Sequence, residues 1–196
     1  MIKKLMLASA AATVLAAVPA NAATLVFVGG AGGLTAGQTN YADFQTTFGN
    51  ITASSGGGGI VSPPNVPGQY AQPAVGDQGD PFYYVFGGGS VTFGFGANIN
   101  SFGFDLGSAD DYNTLTVFFA GGGSQSFSGA QLNPPGPASG NQSIPGTNGR
   151  VTVTGDAGQF ITGVRFTSGQ PSFEFDNIGT TAVPEPGAWA LFILGF

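Results

Sequence analysis

Across most of its length the chain alternates bulky apolar residues with small polar ones at a period of two. Val91, Phe93 and Phe95 alternate with Thr92 and Gly94. Phe102, Phe104 and Leu106 alternate with Ser101, Gly103 and Asp105, and Leu115, Val117 and Phe119 with Thr114, Thr116 and Phe118. Val151 and Val153, then Thr162, Val164 and Phe166, then Phe173 and Phe175 continue the pattern. Successive side chains of an extended strand point to opposite faces, so this period is that of a strand with one buried side. Residues 24–28, 41–48, 82–86, 124–128 and 160–167 read as further strands, and no window between 23 and 182 carries a helical period. About ten short strands separated by glycine-rich turns predict an all-β fold, a two-sheet β-sandwich of jelly-roll type.

Composition matters here because 35 glycines and 13 prolines in 196 residues approach the range of disordered chains. The aromatic content of 12%, placed in register with the alternation, supplies the core that disorder lacks. Two stretches, residues 50–79 and 133–149, concentrate Gly and Pro and are expected as long surface loops. The glycine clusters at 29–33, 56–59, 87–89 and 121–123 lack the Gly-Lys-Ser/Thr and following helix of a phosphate loop, and read as turns. Charged residues are only 7% of the chain. Beyond Lys3 and Lys4, two arginines face ten acids, which argues against nucleic acid as a partner. With no cysteine and no histidine, disulfides, thiol chemistry, Ser-His-Asp triads and the usual zinc sites are all excluded.

The two ends read as addresses. Lys3 and Lys4, the apolar run from Leu5 to Val18, and Ala20-Asn21-Ala22 after Pro19 form a secretory signal peptide over residues 1–22. Signal peptidase is expected to cut between Ala22 and Ala23, leaving a domain over 23–182. The segment 183–196 holds Pro184, Glu185 and Pro186, then Trp189 and Ala190 opening an apolar run. It resembles the PEP-CTERM sorting signal of exosortase-processed surface proteins. The resemblance implies an exosortase as a processing partner and passage through the inner membrane on the way to the cell surface. The run falls short of the ~20 residues that span a bilayer, and the Arg-rich end of the pattern does not follow it. The signal is therefore expected to be either truncated or a defective anchor, with transient rather than stable membrane association.

Three clusters could carry chemistry. In Phe173-Glu174-Phe175-Asp176-Asn177-Ile178, alternation puts Glu174 and Asp176 on one face. Some retaining β-glucanases of jelly-roll fold carry Glu-x-Asp-x-x-Glu on such a strand, but Gly179 stands at the third acid here. The same stretch is similar to the last strand of carbohydrate-binding sandwiches, where a structural Ca²⁺ lies between it and an early strand. That resemblance implies Asp43, Asp176 and Asn177 as oxygen ligands, with Gln45 where a further acid would add charge. The third cluster, Gly107-Ser108-Ala109-Asp110-Asp111-Tyr112-Asn113-Thr114-Leu115, joins two strands. With Phe173–Ile178 it resembles a family of exosortase-dependent surface proteins of Gram-negative bacteria. Asp110, Tyr112 and Asn113 are the candidate ligand-binding residues, and Tyr83, Tyr112 and Phe118 fall at outward parity, as rings able to stack on sugars. The expectation is an exported, non-catalytic surface or matrix protein engaging extracellular polysaccharide. The alternative is a glycan hydrolase using Glu174 and Asp176 with Asp105, Asp110 or Asp111.

Overall fold

The computed structural model describes residues 22–76, 78–133 and 139–183. The residues up to 21 expected as a signal peptide, including Ala20, and those expected as a sorting motif, Pro184, Glu185, Pro186, Trp189 and Ala190, lie outside the described residues. The fold is all-β. In chain order the strands are β1 (Ala23–Gly29), β2 (Thr39–Ala42), β3 (Ile51–Ser55), β4 (Gly58–Val61), β5 (Phe82–Val85) and β6 (Gly89–Gly107). They continue with β7 (Asn113–Phe119), β8 (Ser124–Ser128), β9 (Gly149–Gly155), β10 (Ile161–Ser168) and β11 (Phe173–Ala182). A single helical turn, α1 (Gly129–Leu132), follows β8.

All pairings are antiparallel and hydrogen bonding makes one continuous sheet of eleven strands, not two separate ones. The strand that unites them is β6, which the alternation alone divides in two. Its first half pairs with β3 and β10, its second with β9 and β11. Between them Gly96 takes φ of +70°, a conformation costly for any residue with a Cβ, and the strand bends there while still paired. The size of the bend follows from the core. Phe166 is the register partner of Val91, and Phe175 of Leu106. A straight strand would hold those partners ~50 Å apart. Instead the rings of Phe166 and Phe175 stack with centroids 3.8 Å apart. The two arms of the sheet thus face each other, and Phe44, Tyr83, Phe93, Phe104 and Phe173 complete an aromatic core between them.

Three expectations are corrected. Residues 50–79 are not one loop, because β3 and β4 are edge strands within them. All five residues of β3 are exposed, so no apolar alternation marks it. The expected strand 41–48 stops at Ala42, where Asp43 reverses the chain. The N–H groups of Gln45, Thr46 and Thr47 converge on Asp43 Oδ1, at 3.0, 2.8 and 2.7 Å. The turn carries Phe44 at φ +57° into the core. Tyr83 is buried rather than outward, stacked on Phe175 at 5.3 Å, since β5 is buried on both faces. Phe118 is half-buried, with the Arg165 guanidinium 5.3 Å from its ring centroid.

The arm containing β11 is unusual in that both faces are covered. Every residue from Phe102 to Gly107 and from Phe173 to Gly179 is buried. Phe residues occupy the inner face, while the opposite face is closed by the segments 30–38 and 65–76. Placing loops there buries Glu174, Asp176 and Asp105, and gives this face its polar chemistry.

Candidate functional site

At one end of this covered arm, four connections surround a cleft of about 450 Å³. They are residues 65–71 between β4 and β5, 108–112 between β6 and β7, 139–142 before β9, and 171–174 leading into β11. The walls are fixed by side-chain to backbone bonds, as polar loops over a buried face require. Asn148 binds three places at once. Its Oδ1 accepts from the Ser108 N–H at 3.0 Å, and its Nδ2 donates to the carbonyls of Asn141 and Ile144. Gly140, at φ +61°, lies against Asp110: an added Cβ would fall 2.4 Å from Asp110 Oδ1 and the carboxylate would have to shift. On the opposite wall Tyr70 packs on Tyr84, ring centroids 4.9 Å apart.

Two carboxyl groups line the cleft. Glu174, 3% exposed, accepts from the Ala71 N–H at 2.9 Å and from the Ser172 hydroxyl. Burial raises its pKa to about 7, against the lowering effect of those two donors, and the charge of Asp110 adds to the rise. Asp110 is also raised, first by burial; the Tyr112 hydroxyl opposes this and Asp111 adds to it. That hydroxyl sits 2.8 Å from Asp110 Oδ2 and 3.0 Å from the Pro171 carbonyl. Burial, then the bond to Asp110, pushes the phenol up, so Tyr112 stays a neutral donor.

Of the three candidate ligand residues, Asp110 and Tyr112 reach the cleft and Asn113 does not. Asn113 is fully buried. Its Oδ1 accepts from the Asp110 N–H at 3.0 Å and its Nδ2 donates to Ser168 Oγ and the Ser172 carbonyl. It ties the 108–113 turn to the start of β11, and so holds Asp110 and Glu174 in place. Sequence reasoning missed Tyr70, Asn65 and Gln142 as lining residues, because they come from segments with no periodic signal.

The carboxylate pair expected on β11 is split. Glu174 faces the cleft, whereas Asp176 joins a second polar cluster deeper under the covering loops. There Asp176, Asp105 and Arg150 are register neighbours on β11, β6 and β9. Arg150 Nη1 is 3.0 Å from Asp105 Oδ1 and donates to the Asn177 carbonyl at 2.6 Å, while Nη2 donates to Gln38 Oε1. Asp105 also accepts from the Gly33 N–H, at 3.0 and 2.8 Å to its two oxygens, and from Asn177 Nδ2 at 3.0 Å. The glycine-rich 29–33 turn therefore does receive an anion, one of the protein's own carboxylates.

This arrangement does not suit the expected Ca²⁺ site. Arg150 already provides the positive charge beside Asp105, Asp176 and Asn177. Asp43 spends its carboxylate on its own turn. Burial alone would raise its pKa, but the Thr47 and Thr46 N–H groups, the Thr46 hydroxyl and Asn40 hold it well below the usual carboxylate range. Among the described residues no three His, Cys, Asp or Glu side chains group as a metal site.

No protein-family model and no curated protein matches the chain. Among solved structures it is similar to the catalytic domain of a GH87 α-1,3-glucanase captured in complex with tetrasaccharides. The TM-score is 0.42 and the identity 17%, over 79% of this chain and 29% of that structure's chain. The chain thus spans less than a third of the protein it matches.

Proposed function

We propose that the protein is an exported, non-catalytic component of the cell surface or extracellular matrix, whose cleft engages extracellular polysaccharide. The observation that carries this reading is the lining of the cleft. Tyr70 and Tyr112 offer ring faces and a phenol, Asn65 and Gln142 offer amides, and Ser139 and Gly140 close one end. Hydroxyl-rich ligands are recognised by such sets of neutral donors and acceptors beside aromatic surfaces. Signal peptidase and an exosortase are the processing partners implied by the two ends, and the apolar C-terminal segment gives a transient membrane association. Affinity electrophoresis of the secreted protein through gels containing extracellular polysaccharide tests the reading. Retardation that is weakened by Tyr70→Ala or Gln142→Ala supports it. Unretarded migration in every polysaccharide tried rejects it.

One observation favours a second reading, hydrolysis of the glycan: Glu174 and Asp110 line the same cleft. A carboxyl titrating near 7 holds a proton at neutral pH and can donate it to a leaving-group oxygen, while an ionised partner activates water or attacks the sugar. This pairing differs from the Glu174–Asp176 pair expected from the strand. The non-catalytic reading is preferred because Glu174 is 3% exposed and one of its oxygens is already held by Ala71 and Ser172. Release of reducing ends that disappears in Glu174→Gln would reverse that preference.

A further inference from the structure

We infer that the cleft selects glycans bearing free amino groups, that is, de-N-acetylated hexosamine units, over neutral or uronic-acid polymers. The inference rests on the polysaccharide reading and narrows it. Two carboxyl groups, Asp110 and Glu174, line the cleft, and no Lys or Arg does so. Neither arginine of the domain is at hand to neutralise them. Arg150 is held by Asp105, Gln38 and the Asn177 carbonyl, and Arg165 by Thr92 and the Phe118 ring. Glu174, its pKa raised to about 7 and 3% exposed, is largely protonated at pH 6, so the negative charge offered to the cleft is that of Asp110. A ligand ammonium set beside Asp110 pairs with that charge, and it carries three hydrogen-bond donors for the acceptors around it. A uronate would bring a second negative charge to the same place. An N-acetyl group would remove the ligand's charge. The neutral part of the lining, Tyr70, Asn65 and Gln142, then serves the ring and its hydroxyls.

The test is calorimetric titration of the secreted protein at pH 6 and fixed ionic strength with three hexamers: β-1,4-linked glucosamine, its fully N-acetylated counterpart, and galacturonate. The expected order is glucosamine at least tenfold tighter than the acetylated hexamer, with galacturonate weakest. Asp110→Asn should bring the two hexosamine affinities within about threefold of each other while the acetylated hexamer binds as before. Asp156→Asn, at an acid outside the cleft, should leave the tenfold preference intact. Equal affinity for the two hexosamine polymers, or tighter binding of the galacturonate, overturns the amino-sugar inference and leaves the polysaccharide reading standing. A preference that falls equally in Asp110→Asn and Asp156→Asn means attraction by the acidic surface as a whole, and also overturns it. Binding of none of the three, nor of any polysaccharide in the gels, removes both.

Discussion

Glu174 shows what a single residue's surroundings can do. It is a carboxyl with two hydrogen-bond donors, which by themselves would lower its pKa, yet burial and the nearby Asp110 outweigh them. Its folded-state value of about 7 lies above the ordinary 4.5. The folded protein therefore holds this proton more tightly than the unfolded chain does. The stability this contributes is fully present below pH 4.5 and is lost as pH rises through about 7, each pH unit of the interval being worth about 1.4 kcal/mol. Urea midpoints measured from pH 4 to 8 should thus fall across this window for the native protein. Glu174→Gln, which keeps the shape and cannot ionise, should fall less steeply. Asp110, raised in the same sense, keeps some slope in the variant. Parallel curves for the two proteins would show that Glu174 does not titrate in the folded state near 7.

At the scale of the element, β11 separates what its sequence announces from what it does not. The alternation of Phe173 and Phe175 with Glu174 and Asp176 gives the inner face correctly, and both rings are buried in the core. The fate of the other face depends on residues 30–38 and 65–76, far earlier in the chain, which carry no periodic signal. The same distance effect hides Arg150 as the partner of Asp105, and leaves Asn113 looking like a ligand when it is a strut. Asp110 and Tyr112 are found because a polar run between two confident strands must form a connection, and connections lie at the open end of a sheet. The row Asp176–Asp105–Arg150 makes a sharp prediction. Asp105→Ala leaves a buried guanidinium without its ion-pair partner and also strips the Gly33 N–H and Asn177 amide of their acceptor. Loss of about 3–5 kcal/mol in denaturant unfolding is expected. Replacing Asp105 and Arg150 by Leu and Met together with Asp176→Asn should cost less than Asp105→Ala alone, because no charge of the row is then stranded. A triple variant less stable than the single one would mean the ionic row itself, rather than the unpaired charge, dominates.

For the whole molecule, the absence of disulfides places the burden of stability on the folded-over sheet and on the seams that close it. A cation site is one seam that the resemblance to carbohydrate-binding sandwiches suggests. Since Arg150 fills that role from within, thermal melts in millimolar Ca²⁺ and in EDTA should coincide; a higher midpoint in Ca²⁺, lost in Asp176→Ala, would mean an ion joins the cluster. The other seam is β1, an edge strand whose seven register pairs with β9 run from Ala23↔Gly155 to Gly29↔Gly149. Its first residue is clasped by Gln125, whose Oε1 accepts from the Ala23 N–H at 2.7 Å and whose Nε2 reaches the Ala23 carbonyl at 3.3 Å. Cutting between Ala22 and Ala23 keeps every one of those pairs and forfeits one bond, from the Asp156 N–H to the Ala22 carbonyl at 3.0 Å. Mass spectrometry of the exported protein should therefore find Ala23 at the N-terminus, with an intact Met1 as the refuting result. A form beginning at Gly30 should melt about 10 °C lower, since it strips Leu25 and Phe27 from the core, a loss of about 1.5–3 kcal/mol for each fully buried apolar side chain and less for these half-buried ones. An unchanged midpoint would mean that β1 is a passenger on the edge of the sheet and that the fold is closed without it.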